Sequence, residues 1–162
     1  MTEAPGGPRS RPVALLPEDE YHAIYARVPR LCVEVIVTNP EGAVYLTKRA
    51  HEPCSGLWHL PGGTVLFGEF LVEAVARVAR RELSIDVRRA ESRGLIEYPS
   101  HFQNGLDSPV GVAFEVLEYL GEPTYDEGAS DGGWFATLPE PMHPDQDSFL
   151  LERGYVSSQR EP

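Results

Sequence analysis

The stretch PGGTVLFGEFLVEAVARVARRELSI, residues 61–85, decides the fold of this 162-residue chain. It places a tight Pro-Gly-Gly turn shortly before one long amphipathic helix, which we predict from Phe70 to Leu83. The apolar residues of that helix recur every three or four positions, and its charged residues group elsewhere. The adjacent glycines Gly62 and Gly63 allow a sharp turn and a close approach of backbone to a metal ion or phosphate. The stretch therefore predicts a ligand site where the turn meets the helix.

Charged side chains in the same stretch are the first candidates for chemistry. Glu69 lies at the predicted start of the helix, and Glu82 is the one carboxylate in its last turn. Arg77 lies between them, where Glu69 or Glu73 could hold it. Taken alone, a glycine turn before an amphipathic helix also suits a structural turn with a solvated helix face. The spacing of these residues favours the functional interpretation.

That spacing resembles the Nudix box. The family pattern is glycine, five residues, glutamate, seven residues, then Arg-Glu-apolar-any-Glu-Glu-any-Gly-apolar. The chain matches the pattern at Gly63, Glu69, Arg77, Ala79, Glu82 and Ile85. It departs at Val78 and Arg81, where the family has glutamates, and at Ser84, where the family has glycine. Outside the box, Lys48-Arg49, Gly56-Leu57-Trp58, Leu60-Pro61 and Trp134-Phe135 are also typical of this family.

Strands and helices alternate irregularly around the box, with several hairpins. Helices are predicted at Pro17–Val28 and Asp145–Arg153; strands at Leu31–Thr38, Ala43–Thr47, Trp58–Leu60, Thr64–Phe67, Arg93–Tyr98, Val110–Tyr119 and from Trp134; and loops at His101–Pro109 and Tyr125–Gly133. This order favours a mixed sheet covered by helices over a doubly wound parallel sheet. The resemblance implies the same α/β class, a Nudix fold with a mixed β-sheet sandwiched between helices. We expect a disordered N-terminal tail over 1–14, one domain over 15–156 and a C-terminal tail over 157–162.

Composition narrows the classes of partner. The formal net charge is −11, from 25 acidic and 14 basic residues. This balance opposes binding to nucleic acid or an anionic membrane, since both need a positive surface. No apolar run approaches the length of a membrane span or of a signal-peptide core. The two cysteines, Cys32 and Cys54, provide no disulfide framework. We therefore expect a cytoplasmic protein whose partner is a small nucleotide.

A Nudix box that similarly lacks some of the family's glutamates is found in the GDP-mannose mannosyl hydrolase branch. The resemblance to that branch covers roughly Leu16 to Arg153. Those enzymes attack the anomeric carbon of the sugar with water and use one magnesium ion. The resemblance implies that the Gly63 carbonyl and the Glu82 carboxylate bind Mg²⁺, or alternatively Mn²⁺. The predicted substrate-binding residues are Glu34, Arg49, Arg77, Arg81 and His101, and His101 would contact the diphosphate leaving group.

The general base is the point at which the chain departs from that branch. A Gln-His pair serves there as metal ligand and base, whereas this chain has DEGASDGG at residues 126–133. Glu127 and Asp131 are the predicted catalytic carboxylates, because many family members use a carboxylate from this loop. A solvated acidic loop is an equally good interpretation. His101 is the third catalytic candidate, because imidazole titrates near neutral pH.

Two further residues are weaker candidates: His143 could reach the site, and Cys54 could be a reactive thiol. His143 precedes a proline at a helix entry and is predicted to be structural. Nothing near Cys54 in the sequence would activate its thiol.

Three hypotheses follow from the sequence. The favoured one is a Mg²⁺-dependent hydrolase of a nucleoside diphosphate derivative, with a nucleoside diphosphate sugar as the preferred substrate. The second is a nucleotide-binding or sensor domain that lost catalysis with the glutamates replaced by Val78 and Arg81. The third is a structural or dimerisation subunit. The resemblance implies a homodimer, while the base, the sugar and the choice between C–O and P–O cleavage stay open.

Overall fold

The structure, a computed structural model, describes residues 14–159. The predicted tails therefore lie outside the described residues, except for residue 14 and residues 157–159. The described elements, in chain order, are α1 (Glu18–Tyr25), β1 (Arg30–Val37), β2 (Val44–Arg49), β3 (Trp58–His59), β4 (Gly62–Thr64), α2 (Leu71–Leu83), β5 (Asp86–Glu97), α3 (Pro99–Gln103), β6 (Pro109–Leu120), β7 (Ala129–Phe135) and α4 (Pro144–Glu152). None of these helices combines the length and the apolar composition that crossing a membrane requires.

The strands form two sheets. One has the order β4-β1-β6-β5 and the other the order β3-β2-β7. β1 runs parallel to β6, whereas every other strand pair within the sheets is antiparallel. Strand β1 is buried from Cys32 to Val37 without alternation, as expected of a strand that is covered on both faces. The predicted α/β class with a mixed sheet is confirmed.

Two apolar cores explain why helices lie on both sides of the sheets. The first core joins the apolar face of α2 to β1 and β6, and its helix residues are Ala74, Val75, Val78, Ala79 and Leu83. The second core joins the two sheets to α4 through residues that include Ile36, Leu46 and Leu150. Helix α2 is thus fixed over β1 and β4, and the end of the Pro-Gly-Gly turn lies beneath it.

Several predicted boundaries were wrong. The strand predicted over Thr64–Phe67 is β4, Gly62–Thr64, which ends where the prediction began. The loop predicted over His101–Pro109 begins inside helix α3, which has a proline in its first turn. The second half of the loop Tyr125–Gly133 belongs to β7, which pairs with β2. Strand β5 begins at Asp86, seven residues before the predicted Arg93, and pairs with β6 along its length. In β5 and β7, backbone hydrogen bonding to a neighbouring strand outweighs the polar composition of the segment.

Candidate active site

The Pro-Gly-Gly turn places β4 beside the one acidic residue of β1. Glu34 is only 6% exposed, and it faces Gly62 across the β1–β4 pair. A Cβ atom added at Gly62 would collide with the Glu34 carboxylate, and one added at Gly111 of β6 would lie 2.9 Å from its side chain. Glycines on both sides therefore make the room that a buried carboxyl group needs within the sheet.

Hydrogen bonds hold the Glu34 carboxyl group in place. The Tyr98 hydroxyl donates to Glu34 Oε1 over 2.6 Å, and Gln146 Nε2 donates to the Tyr98 oxygen over 2.8 Å. The Gln146 amide oxygen accepts from the Leu60 backbone amide at 2.7 Å. Burial raises the pKa of Glu34 to about 8, and the charge of Glu82 acts in the same direction. Glu34 is thus a positioned group that titrates near neutral pH.

Glu82 brings a second carboxylate to the same turn. It lies at the end of α2, where it accepts a hydrogen bond from the backbone of Gly62 and another from Arg81 Nη2 at 2.9 Å. Burial raises the pKa of Glu82, and the charge of Asp126 adds to that increase against the effect of Arg81. The carboxylates of Glu34 and Glu82 therefore converge on Gly62 from two elements.

The helix face next to Gly63 carries fewer carboxylates than the family pattern has there. A Cβ atom at Gly63 would lie 3.0 Å from a methyl group of Val78 and 3.4 Å from Arg81 Nη2. The helix face above the turn therefore presents a methyl group and a cation at the two positions where the family pattern has glutamates. Carboxylate and carbonyl oxygens are the ligands that Mg²⁺ prefers. Glu82 and the Gly63 carbonyl are the candidate ligands of that kind, and the Glu34 carboxyl group lies beside them at Gly62.

Arg77 supports the loop between the turn and the helix. Its Nε donates to Glu69 at 2.7 Å, and its Nη2 donates to the Thr64 carbonyl at 2.8 Å. The second oxygen of Glu69 accepts from the Leu66 amide at 2.9 Å. The prediction that Glu69 could hold Arg77 is confirmed, and these contacts close the loop from residue 64 to residue 69 against α2.

A cavity of about 590 Å³ opens beside these groups. Glu34, Arg49, Gly63 and His101 line it, so the structure brings these four predicted site residues together. Arg77 and Arg81 are not among the lining residues, and Glu82 reaches the cavity only through its contact with the turn. The volume falls within the range of pockets that bind small molecules, about 300–1,000 Å³.

The predicted catalytic carboxylates of the acidic loop lie outside this cavity. Glu127 and Asp131 are both exposed, and neither lines it. Asp126 is the loop residue whose charge acts on Glu82. The loop is attached near the site by a hydrogen bond from the Ala50 amide to the Gly128 carbonyl, 3.1 Å long.

His101 belongs to a group of residues that sequence reasoning missed. Its Nδ1 lies 2.9 Å from Asp107, its Nε2 lies 3.2 Å from His143 Nε2, and the Cys54 sulfur lies 3.8 Å from the same Nε2. These residues lie in the loop after β2, in α3 and at the start of α4. Tyr98 and Gln146 were also missed. No spacing pattern links positions this far apart in the chain, so only the fold reveals that they meet.

Comparisons with known proteins identify the family. A sequence profile of the NUDIX domain matches residues 28–150. Low-salt glycan biosynthesis protein Agl8 of Haloferax volcanii is 40% identical over 144 residues, which cover 86% of this chain and 92% of that protein.

Solved structures agree with the family profile. A MutT NUDIX hydrolase from Burkholderia pseudomallei superimposes with a TM-score of 0.71 at 30% identity, covering 78% of this chain and 98% of that one. The NUDIX domain of Shewanella oneidensis NrtR superimposes with a TM-score of 0.60 at 22% identity, over 85% of this chain and 96% of that one. With its box on the turn and on helix α2, this chain belongs to the NUDIX domain family.

Proposed function

We propose that the protein is a Mg²⁺-dependent hydrolase of a nucleoside diphosphate derivative, with a nucleoside diphosphate sugar as its substrate. The observation that carries this proposal is the convergence of Glu34 and Glu82 on Gly62, at the edge of a cavity that arginines also line. Burial raises the pKa of both carboxyl groups, and the charge of Glu82 raises that of Glu34 further. A bound cation would stabilise their ionised forms. Both that cation and an arginine would neutralise the negative charge of a bound diphosphate.

In this proposal Glu82 and the Gly63 carbonyl hold the magnesium ion, which when bound neutralises charge on the diphosphate. Arg49 lies in the cavity and binds a phosphate oxygen, and Arg81 supplies further positive charge from the rim. Glu34 exchanges a proton near neutral pH, because its pKa of about 8 leaves both of its forms populated. Tyr21 and Tyr25 of α1 line the same cavity and offer aromatic surface to a base.

Activation of the attacking water is assigned to the acidic loop or to His101. Glu127 and Asp131 stay predicted bases, and Asp126 joins them because its charge acts on Glu82. His101 lines the cavity and could carry a proton there. Asn or Gln substitution at each position separates these assignments, since loss of the true base lowers kcat with little effect on KM.

A sugar nucleotide is preferred over other diphosphates because of the 40% identical relative. That protein's name is low-salt glycan biosynthesis protein. The monosaccharides from which glycans are built are commonly activated as nucleoside diphosphate sugars. The GDP-mannose mannosyl hydrolase branch stays the nearest pattern. A homodimer stays an expectation of the family resemblance.

The first experiment measures product release from a panel of nucleoside diphosphate sugars and dinucleotides with and without Mg²⁺. We expect turnover that requires the metal and is lost in Glu82→Gln. Glu97→Gln, at an exposed position of β5, is the matched control and should keep full activity. Reaction in ¹⁸O-water then shows which bond breaks, because the label enters the sugar for C–O cleavage and the phosphate for P–O cleavage.

One observation favours a second function, nucleotide sensing without turnover. Arg81 donates to the one box carboxylate that this chain retains in the last turn of α2, and this ion pair competes with a metal ion for Glu82. The solved NrtR domain was crystallised with ADP ribose. Binding of nucleotides measured by calorimetry, with no turnover of any substrate in the panel, would support the sensor and overturn the hydrolase.

A further inference from the structure

Three side chains of the cavity form a compact set of nitrogen and sulfur donors, the Cys-His-His cluster of Cys54, His101 and His143. The ring nitrogens His101 Nε2 and His143 Nε2 are 3.2 Å apart. The Cys54 sulfur lies 3.8 Å from the first nitrogen and 3.7 Å from the second. All three residues line the cavity, and both histidines are buried. The cluster is therefore preassembled by the fold.

These separations match the face of a zinc tetrahedron. With Zn–S bonds of about 2.3 Å and Zn–N bonds of about 2.0–2.1 Å, tetrahedral angles require S···N distances of about 3.6 Å and an N···N distance of about 3.3 Å. The observed distances of 3.8, 3.7 and 3.2 Å differ from these values by about 0.2 Å or less. An ion could bind with only small movements of the three side chains.

Asp107 orients His101 for this role. Its Oδ1 lies 2.9 Å from His101 Nδ1, and its Oδ2 accepts from Arg30 Nε at 2.6 Å. Burial would raise the pKa of Asp107, but the hydrogen bond from His101 and the charge of Arg30 lower it to about 2. The ionised carboxylate keeps the proton on Nδ1, so the lone pair of Nε2 points to the cluster. A carboxylate behind a histidine is the usual second partner of a metal-binding imidazole.

His143 must change its protonated nitrogen when the ion binds. Its Nδ1 accepts from the Asp145 amide at 3.2 Å, so in the metal-free protein the ring proton lies on Nε2, between the two histidines. An ion on Nε2 moves that proton to Nδ1, near the carboxylates of Asp145 and Asp147, whose charges already act on this ring. The change gives up two hydrogen bonds between neutral groups, each 3.2 Å long: the one from the Asp145 amide to Nδ1 and the one between the two Nε2 atoms.

The surrounding charges favour a cation. Burial, followed by the effect of His101, lowers the pKa of His143 to about 4, so its ring is neutral at pH 7, the form that binds metals. Burial raises the pKa of the Cys54 thiol, on which Arg49 acts against the carboxylates of Glu52, Asp145 and Asp107. The carboxylates of Glu52, Asp145 and Asp107 thus outnumber the two cations nearby, Arg49 and the Arg30 that pairs with Asp107.

We propose that Cys54, His101 and His143 bind a zinc ion through three protein ligands, with the fourth coordination position facing the cavity. Thiolate and imidazole select zinc over magnesium, which takes oxygen ligands. The site is therefore distinct from the oxygen-lined one beside Gly62. On binding, the thiol proton of Cys54 is released to solvent and the sulfur coordinates as thiolate. The open position takes an oxygen or nitrogen atom of a small molecule in the cavity.

Cobalt titration of the full-length, reduced and chelator-stripped protein tests the proposal. Co²⁺ replaces zinc in such sites, and a sulfur-to-cobalt charge-transfer band in the near ultraviolet reports thiolate ligation. We expect the band to saturate at one equivalent of Co²⁺ and to disappear when one equivalent of Zn²⁺ is added. Cys54→Ser should abolish the band and His143→Gln should weaken binding at least about 100-fold. Asp107→Asn should weaken it about 10- to 100-fold.

Two control variants make the assignment specific. Cys32→Ser removes the other cysteine and should leave the band unchanged. Glu82→Gln should also leave it unchanged, even though it removes the proposed magnesium ligand, so the two proposals can fail separately. Circular dichroism and thermal melting establish that each variant is folded. A wild-type protein that shows no thiolate band, or a folded Cys54→Ser that keeps wild-type affinity, would overturn the zinc site.

Discussion

The hydroxyl group of Tyr98 donates to the carboxyl group of Glu34 over 2.6 Å, in the interior of the protein. This bond lowers the pKa of Glu34, but burial outweighs it, and the pKa stays at about 8. The free carboxyl group of an unfolded chain titrates near 4.3. Folding therefore transfers Glu34 from an environment that favours its ionised form to one that favours its neutral form.

Stability should consequently depend on pH through Glu34. The pKa of Glu34 is higher in the folded state than in the unfolded state. The contribution of Glu34 to stability is therefore complete below the unfolded pKa, and it is lost as the pH rises from about 4.3 towards about 8. Glu34→Gln keeps an acceptor for Tyr98 and cannot ionise. In buffer containing a chelator, we expect the free energy of unfolding of the variant to rise relative to that of the wild type across this window. The difference should reach on the order of a few kcal/mol at pH 9. Urea denaturation at pH 4.5 and pH 9 measures the difference, and parallel pH profiles would contradict it.

The ion pair between Arg77 and Glu69 should matter more than its neighbour on the same helix. The Glu69 side chain is only 4% exposed, so Arg77→Ala leaves a nearly buried carboxylate without its cation. We expect a loss of about 1.5–3 kcal/mol in the free energy of unfolding, the usual range for a hydrogen bond to a charged group.

Arg80→Ala is the matched control. Arg80 pairs with Asp86 at the surface, where its own side chain is 74% exposed, and such pairs contribute less than about 1 kcal/mol. Both variants lose one arginine of α2, so equal losses in chemical denaturation would show that Arg77 has no special role.

Arg81 should weaken metal binding at the turn. Its guanidinium group donates to Glu82 at 2.9 Å, and a divalent cation must compete with that contact. Arg81→Glu removes the cation and restores a carboxylate that the family pattern has at this position. We expect Mn²⁺ affinity, measured by electron paramagnetic resonance, to rise on the order of tenfold, which corresponds to about 1.4 kcal/mol. Arg80→Glu, with the same change in net charge, controls for long-range attraction, and an equal rise there would contradict a specific role of Arg81.

Ser84 occupies a backbone conformation that favours glycine. It ends α2 in the left-handed region with φ of 58°, which costs a residue with a side chain roughly 1 kcal/mol. Ser84→Gly should therefore stabilise the protein by about 0.5–1 kcal/mol, seen as a rise of a few degrees in Tm. Ser92→Gly, in the extended strand β5, should destabilise it by a similar amount because glycine weakens a strand. A lower Tm in Ser84→Gly would mean that the serine side chain is needed there.

The predicted fold came from local regularities that survive in a linear sequence. The apolar period of α2, the Pro-Gly-Gly turn and the box spacing each lie within 25 residues, and the structure confirms the helix, its buried face and the Glu69–Arg77 pair. The predicted first and last residues of the strands were less accurate. β7 contains polar residues and glycines, and the first half of β5 is largely polar. The hydrogen bonds that make them strands come from β2 and β6.

The candidate site could be predicted only in part. Glu34, Arg49, Gly63 and His101 line one cavity, and their roles in binding stay predictions of the family resemblance. The carboxyl group of Glu34 carries an unusual pKa because Gly62 and Gly111 leave room for it and Tyr98 donates to it. None of these partners is near Glu34 in the sequence.

The sequence alone determined the family, the class of fold and the identity of the box carboxylates, because periodicity and spacing are properties of neighbouring residues. The tertiary structure alone decided what surrounds them. Cys54, His101 and His143 lie up to 89 residues apart, and they meet because the loop after β2, helix α3 and the start of α4 lie at the same cavity. Packing between these elements sets the distances among the three side chains. It also decides whether they share protons or bind a metal ion, and no local sequence pattern encodes it.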